Sequence, residues 1–295
     1  MHRTMTAVVL CLTASAWAAT IQEAQQAIDA KKYPEALQAI TQMLNAAKPG
    51  DKELRYDLYM LRGEAMLQLG SRQGASDAFK AAQRNTADVN KSCIAQATLL
   101  LLGETVNFVY TSPRGDGPLD IRDPAQRTKA FSELFDSRFA ELQPRVFKQY
   151  TADNLSGIIP LLPDLGDAYA IERAATGKDE KLRPVMARLG DHARDLVGDE
   201  LDRIQSRVEA LESISSEPSS VSNYGGVWTA GPRGLVSTQK NELADTAKYL
   251  MQIRNLCQHA RETAARMGGP ADKWDALATR CDQLADQATA LRDRS

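Results

Sequence analysis

Apolar residues recur along most of this chain at alternating spacings of three and four, the period of an amphipathic helix. Leu250, Ile253, Cys257, Ala260, Ala264 and Met267 form one such series, and Trp274, Leu277, Cys281, Leu284, Ala288 and Leu291 form another. Met267-Gly268-Gly269-Pro270 lies between them. Gly closes helices and Pro opens them, so the pattern predicts an antiparallel helical hairpin over 239–293. Upstream, the seam Leu182, Met186, Leu189, Ala193, Leu196 shifts by one position to Val197, Leu201, Ile204, Val208, Leu211. Such a shift is a stutter, and it predicts one long helix from Asp179 to Ile214 that joins the hairpin as a three-helix bundle. Within 124–214, Pro124 starts a helix running to about Leu142, and Pro160 and Pro163 interrupt the helical stretch that follows. Val89 to Tyr110, with Leu99-Leu100-Leu101-Leu102 inside it, is apolar on most sides and predicts a buried central helix. Ser112 to Pro118 is rich in Gly and Pro and predicts a turn-rich loop.

In the N-terminal third the pattern repeats. Ala36, Ile40 and Met43 align with Ala75, Phe79 and Ala82 at an offset of 39 residues. Before the second copy, Tyr59, Gly63 and Met66 precede Gly70. Small residues at Gly63 and Ala75 let two helices approach closely, with Phe79 filling the space between turns. In the first copy Ala24 holds the small position, Tyr33, Ala36 and Ile40 match the second helix, and Lys48-Pro49 stands at the end. Helix–turn–helix units of this spacing resemble the tetratricopeptide repeat. The resemblance covers roughly residues 20 to 86, with Arg62 and Arg72 departing from the family pattern and residues near Gly50 lengthening the period. It implies a tetratricopeptide-like region within 20–110, packed through Ala24, Ala36, Ile40, Gly63, Ala75, Phe79 and Ala82. It also implies protein–protein interaction along a helical face. Two repeats rarely bury a sufficient core, so the later helices are expected to pack onto them.

Composition agrees with an all-α fold. The chain holds 43 alanines against 17 aromatic residues, and Ala is the strongest helix former. Its 36 basic and 38 acidic residues leave a net charge of −2, which gives no electrostatic case for nucleic acid or an anionic membrane surface.

The first 18 residues read differently from the rest. His2 and Arg3 precede the apolar stretch Ala7 to Ala14, and Ala16-Trp17-Ala18 supplies small residues for cleavage. These are the three parts of a secretory signal peptide over 1–18, so the chain is expected to be exported to the periplasm or the extracellular space. No later segment is long and apolar enough to span a bilayer, so no membrane span is expected in the mature chain.

Export makes a disulfide permissible. Folding the hairpin at Gly269 sets Cys257 opposite Cys281, and a disulfide between them is expected; the alternative is two reduced cysteines packed as small core residues. Cys93 remains over and is expected to be buried in an apolar helix.

Residues 215–238 form a Ser/Gly/Pro-rich loop, the longest break in the helical pattern. Tyr224 and Trp228 make it a candidate partner-binding loop, the alternative being that Trp228 folds back onto the bundle. Its glycines lack the G-K-[ST] of a phosphate loop. A search for catalysis finds no G-x-S-x-G, no Cys-centred nucleophile motif and no E-x-x-H pair. His192, between Asp191 and Asp195, reads as part of a charged helix face rather than a metal site. No catalytic, cofactor-binding or metal-binding residue is assigned, and no cofactor is expected. The sequence therefore points to an exported, non-enzymatic helical scaffold with a protein or peptide partner. Two alternatives stay open. One is a small-ligand carrier or transporter accessory protein with a cavity near Leu99 to Leu102, the other a hydrolase built around His192 or His259.

Overall fold

The seams become helices because each gives an apolar stripe a surface to bury against. The computed structural model describes residues 21–113, 115, 117–149, 155–158, 160–216, 234–266 and 271–294. Helix follows helix: α1 over residues 21–29, α2 at Tyr33–Ala46, α3 at Lys52–Gln68, α4 at Arg72–Arg84 and α5 at Val89–Gly103. Two short strands, β1 at Val109–Thr111 and β2 at Pro118–Asp120, precede α6 at Pro124–Gln149. After a short 3-10 turn at Leu155–Gly157 come α7 at Leu161–Thr176, α8 at Leu182–Ser216, α9 at Ser237–Arg266 and α10 at Ala271–Arg294. The fold is all-α, and among the described residues it carries one two-stranded antiparallel ribbon. Among the described residues no helix is long and apolar enough to cross a membrane.

The chain divides into two compact units: Met1–Glu141 with Gly166–Leu182, and Leu142–Leu165 with Arg183–Ser295. In the first, α2 packs on α3, α3 on α4, and α4 on α5 in succession. Ala24, Ala36, Ile40, Ala75, Phe79 and Ala82 are all essentially inaccessible, and Gly63 is buried with them. A Cβ built on Gly63 collides with the ring of Phe79, so any larger residue there forces that ring to move. Ile40, Met43, Leu44 and Leu58 close one core cluster with Ala24, and Tyr56, Ala82 and Ala95 form another. A polar brace accompanies the second: the Lys91 ammonium reaches Glu53 and Asp57 at 3.0 Å and lies 4.8 Å from the Tyr56 ring centroid.

Local signals place the ends. Gly70 adopts φ +75° and closes α3 in the left-handed conformation that glycine takes without strain. Asp88 accepts from the backbone N–H of Asn90 and Lys91 to cap α5, and Asp123 accepts from Ala125 beside Pro124 at the start of α6. Arg72, the departure from the repeat pattern, donates to the carbonyls of Leu102 and Thr105. It thereby satisfies the C-terminal end of α5, where a cation is favoured.

Here the structure corrects one expectation. The helix predicted from Val89 to Tyr110 ends at Gly103, and Val109 to Thr111 pair with Pro118 to Asp120 across the Ser112–Pro118 loop. Asn107 and Phe108 at positive φ turn the chain out of the helix, and Gly115 and Gly117 at φ +86° and +90° close the hairpin. Beyond Pro124, α6 runs further than predicted and carries Pro144 in its interior.

In the second unit, the predicted stutter is visible in burial. Met186, Leu189 and Ala193 are buried, Leu196 is only partly so, and burial resumes at Val197, Leu201, Ile204, Val208 and Leu211. Arg207 pairs with Glu242 of α9, and Arg280 of α10 reaches Asp202 and Gln205 of α8. Between α9 and α10, Arg254 pairs with Asp282 and Arg261 with Asp275, at 2.7 and 2.6 Å. These pairs fix the register of the hairpin, whose turn at 267–270 lies outside the described residues.

Candidate functional site

The first unit carries a groove of about 820 Å³. One wall is α1, through Gln25, Ile28 and Asp29; Lys31, at φ +61°, turns the chain so that Tyr33 enters from the start of α2. Glu64 and Gln68 of α3 form the floor, and the corner from β2 to α6, Asp120 to Pro124 with Arg127, forms the other wall.

Its polar groups hold one another in place. Arg127, buried on α6, donates to both carboxylate oxygens of Glu64 at 2.7 and 2.9 Å, the bidentate geometry a guanidinium prefers. The Gln68 side chain donates to the Arg122 carbonyl at 2.7 Å and accepts from the Tyr33 hydroxyl at 3.5 Å, so α2, α3 and the corner share one chain of hydrogen bonds. Arg122 clasps Asp120 in turn. That hydrogen bonding holds the Asp120 carboxyl below its usual value, against a desolvation that opposes it. Asp123 is also lowered, first by the Ala125 backbone N–H and then by Gln126.

The lining contains no histidine, cysteine or serine. It presents oriented donors, acceptors and paired charges.

Most of these residues escaped the sequence reading. Glu64 and Arg127 stand 63 positions apart and belong to no periodic pattern; of the lining, the sequence singles out Tyr33 and Pro124. The residues Ala24, Ala36, Ile40, Gly63, Ala75, Phe79 and Ala82 are buried core and do not line the groove. Leu101 and Leu102 are likewise buried. Tyr224 and Trp228 lie outside the described residues, as does the proposed signal peptide.

The cysteines require a correction. Cys257 and Cys281 are buried thiols that are not joined, so the expected disulfide is not formed, and Cys93 is buried on α5 as expected. The predicted register is nevertheless present, with the Cys257 and Cys281 side chains hydrogen-bonded to each other. That bond and burial push the Cys257 thiol far up, and the pair packs in the α9–α10 seam as small apolar groups. His192 is half-buried on α8 and His259 exposed on α9. Among the described residues no group of three or more His, Cys, Asp or Glu is placed to hold a metal ion.

Comparison with protein-family models, with curated proteins and with solved structures gives no match to this chain.

Proposed function

We propose that this protein is an exported, non-enzymatic helical scaffold whose N-terminal unit holds a polar segment of a partner protein in the groove between α1, α3 and the β2–α6 corner. The observation that carries this reading is the groove itself: walls drawn from separate stretches of chain, with charges already fixed by Glu64 and Arg127. Fixed partners reduce the ordering a bound segment must undergo, which favours binding. The successive packing of α2 to α5 through small residues adds support, because helical repeats of the tetratricopeptide kind bind partners in this manner. Export rests on His2 and Arg3, the apolar stretch Ala7 to Ala14 and the small residues Ala16 and Ala18.

The test is co-purification from the envelope of the producing cell, comparing the wild-type chain with Gln25→Trp, which places bulk on an exposed groove wall. A protein recovered with the wild type and lost with the variant supports the reading. A co-purifying small molecule in place of any protein contradicts it. N-terminal sequencing of the same material tests export, with Ala19 expected as the first residue.

A further inference from the structure

Within the second unit lies an open-mouthed pocket of about 240 Å³. Leu165, Met186, Ala260, Ala264 and Trp274 give it an apolar wall, and all five are buried. Cavities of roughly 150 Å³ with such walls stay dry and accept a molecule the size of benzene, so this one has room for a ring or a short acyl chain.

Two features distinguish it from a packing defect. Gly190 lies inside α8 and lines the cavity, and a Cβ built on it meets nothing within 4 Å. Glycine inside a helix is unfavourable relative to alanine, so its presence here leaves open space where a side chain would add stability. The second feature is Arg194. Its side chain is only 16% exposed, and the guanidinium stacks over the Trp274 ring at 5.8 Å from the centroid. The guanidinium N–H groups remain donors to an anion, as the contact with Asp191 shows. Asp191 accepts from them now, but that carboxylate is 66% exposed, and so exposed an ion pair is easily exchanged. Arg183 also contributes to the lining.

We infer that this cavity binds an amphiphilic carboxylate. The apolar body of the ligand lies against Leu165, Met186, Ala260 and Trp274, and its carboxylate takes the place of Asp191 on the Arg194 fork. A partly buried arginine at the mouth of an apolar cavity matches such a ligand at both ends.

Calorimetric titration of the full chain with octanoate, and with 1-octanol as the uncharged counterpart, tests the inference. Octanoate is expected to bind the wild type at least about tenfold more tightly than octanol, and Arg194→Gln is expected to abolish that difference. Gly190→Leu fills the cavity with a better helix former; it is expected to raise Tm and to lose octanoate binding. Equal affinity for the two probes, no octanoate binding to the wild type, or unchanged binding by Gly190→Leu would each overturn the inference.

Discussion

Arg127 and Glu64 form a bidentate ion pair at 2.7 and 2.9 Å, with side chains only 9% and 25% exposed, joining α6 to α3 at the floor of the groove. A pair this enclosed differs from an exposed pair such as Lys178–Glu180, because removing one partner strands the other with little water around it. Arg127→Met is expected to destabilise the protein by about 2–4 kcal/mol. The double variant Arg127→Met/Glu64→Leu is expected to recover part of that loss, since no unpaired charge remains. Urea unfolding of the two single variants and the double variant measures the coupling; strictly additive losses would show that the pair does not act as a unit.

The contact between Gly63 and Phe79 sets how closely α3 and α4 approach. Gly63→Ala is expected to cost about 1–3 kcal/mol, although alanine is the better helix residue, because the added methyl meets the Phe79 ring. Phe79→Leu introduced into that variant should relieve part of the clash. A thermal melt in which Gly63→Ala is as stable as the wild type contradicts the packing described here.

Glu172, 2% exposed on α7, accepts from the backbone N–H of Lys181 at 2.7 Å and of Leu182 at 3.1 Å. The carboxylate thus satisfies donors at the start of α8, where negative charge is favoured. Glu172→Ala leaves those donors without this acceptor and is expected to destabilise by about 2–3 kcal/mol, whereas Glu172→Gln keeps a single acceptor and loses less. Hydrogen exchange at Leu182 offers a local readout, with faster exchange expected in Glu172→Ala.

Acid should weaken the fold through specific carboxylates. Asp120, Asp123 and Glu242 all lie below their ordinary values in the folded chain, held there first by Arg122, by the Ala125 N–H and by Arg207 respectively. A lowered folded pKa means the unfolded chain takes up the proton more readily. The stabilisation is therefore present above the ordinary values, 3.8 for aspartate and 4.5 for glutamate, and is lost as pH falls through the folded values. Urea midpoints measured down a pH series should start to decline below about pH 4.5. Arg122→Met should make the decline shallower, because Asp120 then loses the partner that lowers it.

Much of the architecture was legible because burial and helical period act together. The seam from Leu182 to Leu211 could be read with its one-residue shift, and so could the opposition of Cys257 and Cys281, because a helical hairpin of known turn position fixes both. The hairpin of Val109–Thr111 with Pro118–Asp120 was hidden, since a three-residue strand beside an apolar helix has no period of its own. The groove was hidden for another reason. Glu64, Gln68 and Arg127 are polar residues whose meaning lies in partners far along the chain, and such pairing leaves no mark on local pattern. Arg72 shows the same limit: as a departure from the repeat it looked like a fault, yet it satisfies the end of α5.

Site-specific photo-crosslinking tests the groove most directly. A photoreactive residue replaces Asp29 on the groove wall in one full-length chain and exposed Gln287 on α10 in another, each irradiated in the producing cell. A discrete protein adduct from position 29, absent from position 287, is the expected result. The same adducts from both positions, or none from position 29, would contradict a partner segment in the groove.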